Sequence, residues 1–181
     1  FVGCLLGLAC GDALGAPVEE WSHETIKSTL GFVRDYQTTI LGRGIITDDT
    51  QLSIILSESI IQNEHFDPSH FAYSIGEWQR RIDEGKESGR GSGQSISLAG
   101  RRLYKGMYGK RSGEFSAGNA PAVRVAPLGL YHCRRTEDVL LQDASNSAIP
   151  THIDPLAIAG TQLMAIAVCR LIEADYEKFS P

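Results

Sequence analysis

Positive charge is in short supply in this chain: 17 lysines and arginines stand against 22 acids, giving a net charge of −5 and a pI near 5.5. Nucleic acid or an anionic membrane surface would require a broad basic face, so both are excluded as general partners. Cysteine is equally sparse. Cys4, Cys10, Cys133 and Cys169 show no C-x-x-C spacing and lie in or beside apolar runs. That excludes a zinc ribbon or a disulfide framework and predicts buried free thiols in a reducing compartment, hence a cytoplasmic protein. No apolar run is expected to reach the ~18–20 residues of a membrane helix. The apolar start from Phe1 to Cys10 has no basic leader, and its glycines run on into a motif where a signal peptide would have a cleavage site. There are no internal repeats, and no stretch alternates as strands do. A glycine loop with a following Gly-Lys-Ser/Thr is missing too, so neither a P-loop nor a dinucleotide fingerprint is present.

What remains is a chain of 181 residues, 42% hydrophobic and 22% charged, long enough for one real core. Helical periodicity dominates. Leu5, Leu8, Ala9 and Ala13 mark a first helix over 1–14, with Gly3, Gly7 and Gly11 on one face. Each glycine costs a helix roughly 1 kcal/mol relative to Ala, so three in register predict close approach by another helix or a ligand. A short helix is expected over 24–30, and Leu52, Ile55, Leu56 and Ile60 stripe another over 48–62. Asp67-Pro68 starts the next, with Phe71, Ile75, Trp78 and Ile82 inward. After the polar, glycine-rich stretch 85–93 a helical pattern resumes at Gln94. Pro121 fits the first turn of a helix running to His132, with Arg124 on its surface; 137–146 is a further helix. The apolar run 156–168 predicts a buried core helix. The expected architecture is an all-α orthogonal bundle of about seven helices.

The chemistry concentrates in Ile45-Ile46-Thr47-Asp48-Asp49-Thr50-Gln51. Two accounts fit it. Thr47 or Asp48 is a good N-cap, and acids suit the positive end of a helix dipole. Alternatively, adjacent carboxylates on a rigid helix start can point two ways and reach two hard cations about 4 Å apart. Glu19, just beyond the Gly15–Pro17 break, is either a solvated loop acid or a group leaning over whatever the glycines admit. The 85–93 stretch is a surface linker or a loop aiming backbone N–H groups at phosphate. His152, ahead of the last apolar run, is a cap, a core hydrogen-bonder or a catalyst.

Four stretches in order resemble the ADP-ribosylglycohydrolase family: GCLLGLACGDALGAPVEE, ITDDTQLSIILSES, SAGNAPAVRVAPLGL and THIDPLAIAGTQLMAIAV. The resemblance runs from Gly3 to Ile172 and implies a single all-α domain over 1–181. It implies hydrolysis of the glycosidic bond between ADP-ribose and a protein side chain or small acceptor. The partner is then an ADP-ribosylated protein or a small ADP-ribose conjugate. By the same resemblance Thr47, Asp48 and Asp49 are metal ligands, and Glu19, Asp48 and Asp49 form the catalytic group. Ser116, Gly118, Asn119 and His152 contact substrate, with a lesser nucleotide contact from the 89–93 turn. The complete enzyme of this kind holds two Mg²⁺ or Mn²⁺ ions.

Two departures stand out. Ala120 occupies a position where the family commonly has glycine, which predicts a reshaped loop. The family's second acidic motif, Asp-x-Asp followed by Thr or Ser, occurs nowhere in the chain. Without it two dications meet too little negative charge. The chain is therefore expected to be the N-terminal part of such an enzyme, or a trimmed or diverged form, holding one metal ion or none. The alternative function is a non-catalytic relative: an ADP-ribose-binding module or a crystallin-like structural protein.

Overall fold

The computed structural model describes residues 1–40 and 42–174. Among them the chain forms nine α-helices, two 3-10 turns and one minimal hairpin: α1 (Val2–Gly15), α2 (His23–Thr29), β1 (Thr38–Thr39), β2 (Gly42–Arg43), α3 (Asp48–Asn63), α4 (Pro68–Asp83), α5 (Gln94–Tyr104), α6 (Ala120–Val123), α7 (Ala126–His132), α8 (Glu137–Ala148) and α9 (Pro155–Glu173). The all-α bundle is as expected. The hairpin pairs Thr38 with Arg43 and Thr39 with Gly42, too short to leave an alternating signature.

Caps explain several boundaries. Ser22 accepts from the Thr25 N–H, Asp67 from those of Ser69 and His70, and Asp154 from that of Leu156. Each side-chain oxygen satisfies a donor that the first helical turn leaves free. The expected helix over 121–132 is instead two, broken at Arg124 and Val125. Pro127 is the cause: it has no N–H to continue the ladder, so a new helix starts around it.

The core lies where α3, α4, α5, α7 and α8 converge, through Leu52, Leu56, Phe71, Ile75, Ile96, Leu103, Leu128 and Leu140. The last helix, α9, packs along α6, α7 and α8. It is not the buried helix its composition suggested. Only Ala157, Thr161 and Ala165 are buried, while Leu156 and Leu163 are about 70% exposed (72% and 69%). By length and composition α9 is also apolar enough to cross a membrane, contrary to the expectation that no stretch is. On the glycine face of α1 no described helix makes the close approach: no other group lies within 4 Å of where a Cβ would stand on Gly3, Gly7 or Gly11, and Gly7 and Gly11 line a cavity. The cysteines are all free, but only Cys133 is buried and Cys10 is exposed.

The α7–α9 contact depends on Gly129. A Cβ there would sit 2.7 Å from the Ala165 carbonyl oxygen and 2.8 Å from the Val168 Cβ. Alanine would gain about 1 kcal/mol of helix propensity, but separating two backbones in a packed core costs typically 1–3 kcal/mol. Gly129→Ala is therefore expected to lower the urea midpoint, whereas Leu163→Gln on the open face of α9 should shift stability by no more than about 0.5 kcal/mol. Equal effects in the two variants would contradict this packing.

Candidate active site

The start of α3 is held from outside by α1. Asp12 Oδ2 accepts from the Thr47 N–H (2.8 Å), the Thr50 N–H (3.3 Å) and the Thr50 hydroxyl (2.5 Å), and its Oδ1 accepts from the Thr47 hydroxyl (2.7 Å). Thr47 is itself the N-cap, accepting from the Asp49 N–H at 3.3 Å. Its only proton is thus committed to Asp12. Its free lone pair is left for another partner.

Both aspartates behave as groups short of compensation. Burial, then the charges of Asp49, Glu19 and Asp12, push the Asp48 carboxyl up to about 7. Burial and the charges of Asp12 and Glu19 push Asp49 up to about 6, against a lowering pull from Arg124. Desolvation disfavours the carboxylate form, and like charges add to that penalty. The two side chains face different surroundings. Asp49 lines a cavity of about 550 Å³ together with Asp12, Glu19, Thr47 and Gly7, Gly11 and Gly15 of α1. Asp48 lies against the glycine loop, where a Cβ on Gly91 (φ +84°) would stand 2.6 Å from its Oδ1. Only glycine suits that backbone and that clearance. The Asp48 N–H donates to the Arg90 carbonyl at 2.9 Å, so the loop packs on the acidic centre and is no free linker.

Glu19 is exposed on the cavity rim, following the 3-10 turn Ala16–Val18. Its charge acts on both aspartates, so it is more than a remote loop acid. The predicted substrate residues also gather. A Cβ on Gly118 would lie 3.1 Å from His152 Nε2 and 3.3 Å from Ser116 Oγ, and the Gly118 N–H donates to Ser116 Oγ at 3.3 Å. His152 is buried and paired through Nδ1 with Thr151 Oγ1 at 3.0 Å. It caps nothing; Asp154 caps α9. Asn119 precedes α6 in ordinary right-handed backbone and makes no side-chain cap bond. Neither Gly118 nor Ala120 has a positive φ, so glycine's freedom is not needed where Ala120 stands.

Arg124 corrects the expectation of a surface arginine. It is fully buried at the α6–α7 break. Nη2 donates to the Ser147 carbonyl (3.0 Å) and to Thr151 Oγ1 (2.7 Å), while among the described residues Nε and Nη1 have no hydrogen-bond partner. Burial lowers its pKa to about 10, opposed by Asp48 and Asp49.

The donor chemistry at the head of α3 suits a hard dication: one hydroxyl oxygen with its proton turned away and two carboxylates burdened by repulsion. The set is partial, for among the described residues no three His, Cys, Asp or Glu side chains converge as a metal cage would require.

The sequence model of the ADP-ribosylglycohydrolase family matches residues 1–180. A protein of Archaeoglobus fulgidus is 37% identical over 98% of the chain and 58% of its own length. The ADP-ribosyl-[dinitrogen reductase] glycohydrolase of Rhodospirillum rubrum is 30% identical over 94% of the chain and 57% of its length. A solved structure described as an ADP-ribosylglycohydrolase-related protein complex superposes with a TM-score of 0.76 at 30% identity, covering 96% of the chain and 56% of its own. The chain thus spans little more than half the length of the relatives it matches.

Proposed function

The chain belongs to the ADP-ribosylglycohydrolase family, and from that premise we propose that it carries the first acidic motif of a metal-dependent hydrolase. The bond cleaved is the glycosidic bond between ADP-ribose and a protein side chain or small acceptor. The observation that carries this reading is the Asp48–Asp49 pair at the head of α3, Asp48 buried and Asp49 half-buried on the cavity it shares with Asp12 and Glu19, with both carboxyls pushed towards neutral pH. Such an arrangement is costly unless a cation completes it.

Thr47, Asp48 and Asp49 would hold Mg²⁺ or Mn²⁺, with water, ribose hydroxyls or residues outside the described set supplying the other ligands. Bound there, the metal supplies Lewis acidity and an ionisable water near neutral pH. The chain's own groups do the rest. Water adds to the anomeric carbon as the bond to the acceptor breaks, one of its protons ends on the departing acceptor atom, and the other stays on the new hydroxyl of ADP-ribose. The carboxylates of Asp49 and Glu19 face the positive charge that builds on the sugar. Ser116, Gly118, Asn119 and His152 would hold the diphosphate side, with backbone and neutral donors in place of a basic face.

The test is ADP-ribose release from an ADP-ribosyl-arginine substrate by the 181-residue chain and by a longer form of the protein, with Mg²⁺ and then with EDTA. Metal-dependent release by either supports the reading. A folded, longer protein that binds ADP-ribose without turning over any conjugate would instead make it a non-catalytic relative.

A further inference from the structure

Thr151 Oγ1 stands between two nitrogens. Arg124 Nη2 is 2.7 Å away and can only donate, so the hydroxyl must accept there. The single hydroxyl proton is then left for one of two acceptors: His152 Nδ1 at 3.0 Å or the Ala148 carbonyl at 3.3 Å. The shorter contact goes to the imidazole. A hydroxyl that already accepts from a guanidinium is a stronger donor and a weaker second acceptor, which disfavours an Nδ1–H donating to it. An Nδ1 that accepts leaves the ring proton on Nε2. Nε2 is the atom that faces Gly118 and the Ser116 side of the loop.

We propose that Arg124 is a positioning residue that acts through Thr151 to fix His152 as the tautomer protonated on Nε2, presenting a neutral N–H donor to the 116–118 loop. Arg124 fits this role because it is buried, rigidly tied by Nη2 to Ser147 and Thr151, and placed where its charge is felt by both Asp49 and His152. Burial, with the Arg124 charge, lowers the His152 pKa to about 4, so the ring stays neutral through the range where the aspartates titrate. Other charged groups are turned elsewhere. Glu114, whose backbone bridges His152, pairs its carboxylate with Arg102, and Asp154 caps α9. The residue thereby links the acidic centre to the substrate loop: one cation moderates Asp49 and sets the donor that meets a phosphate or ribose oxygen.

The catalytic consequence rests on the hydrolase reading; the tautomer does not. Two-bond ¹H–¹⁵N correlation spectra of the ¹⁵N-labelled protein at pH 7 read it directly, with the His152 signal identified by its loss in His152→Gln. The expected wild-type spectrum shows the Nε2–H form alone. Thr151→Val, nearly isosteric, should give a mixture of the two tautomers, and Arg124→Met should also raise the His152 titration midpoint by about one pH unit or more. Arg124→Lys should keep that midpoint low. An Nδ1–H ring in the wild type, or a pure Nε2–H ring in folded Thr151→Val, would overturn the proposal. The wild-type spectrum decides even if Arg124→Met does not fold. Absence of hydrolysis with the predicted spectrum would sink the hydrolase reading and leave the positioning intact.

Discussion

Asp48→Asn is expected to raise the thermal midpoint at pH 8, to leave it nearly unchanged at pH 4, and to abolish metal-dependent ADP-ribose release. The folded-state carboxyl titrates at about 7, against an ordinary aspartate value of 3.8. Between those values the folded protein binds more protons than the unfolded chain, so stability falls as pH rises through the interval. Asp49, raised to about 6, acts in the same direction. One pKa unit corresponds to about 1.4 kcal/mol. Coupling within the pair and partial solvent contact reduce the simple product, so about 1–3 kcal/mol is the expected gain at pH 8. At pH 4 both carboxyls are already protonated in the folded state and the amide removes nothing. Millimolar Mg²⁺ or Mn²⁺ should reverse the ranking, because a ligand that binds only the folded state stabilises the parent by mass action and the variant lacks one carboxylate to hold it. Differential scanning calorimetry at the two pH values, with and without metal, gives all four numbers. A variant less stable than the parent at pH 8 without metal would mean that Asp48 is compensated and that its burial carries no penalty.

Much of this was legible in the sequence, for identifiable reasons. The helices over 48–62 and 68–82 were readable because their apolar residues recur with helical spacing and Asp67-Pro68 announces a start. The place of Thr47, Asp48 and Asp49 at a helix head was readable because a threonine N-cap and acids in the first turn both suit a helix start. The gathering of Ser116, Gly118 and His152 depends on contacts across more than 30 positions and came from family resemblance, not from periodicity. Arg124 was misread because an arginine one turn into a helix is usually solvated. The signal that could have corrected it was local: Val123, Val125 and Ala126 leave it no polar face, and Pro127 breaks the helix beside it. The open face of α9 could not be read from composition, since a helix that is apolar all round does not say which neighbours cover it.

Asp12 is an acid inside an apolar, glycine-rich helix with no cation nearby in sequence, and the structure gives it a role at the head of α3. Its replacement should have the largest structural effect at the site. Asp12→Ala removes the acceptor of four hydrogen bonds that join α1 to the head of α3. Hydrogen bonds to a charged group contribute roughly 1.5–3 kcal/mol each. The cavity admits water to repair part of the loss, and removing one charge relieves Asp48 and Asp49 by a smaller amount. The bonds win, and a destabilisation of about 3 kcal/mol or more is expected from urea unfolding at pH 7. Asp12→Asn separates the two contributions. With its amide oxygen in the Oδ2 position it can still accept from the Thr47 N–H, the Thr50 N–H and the Thr50 hydroxyl, while the Thr47 hydroxyl turns to accept from the NH₂ in the Oδ1 position, so stability should fall by less. Without the Asp12 charge, the Asp49 carboxyl should titrate lower than in the parent, a shift that ¹³C-detected titration resolves. The amide also weakens the hold on the Thr47 proton. Mn²⁺ affinity in the proposed metal role should therefore drop about 10–100-fold, the usual effect of losing a group that orients a ligand. An Asp12→Ala protein as stable as the parent would show that α1 does not hold the acidic centre in place.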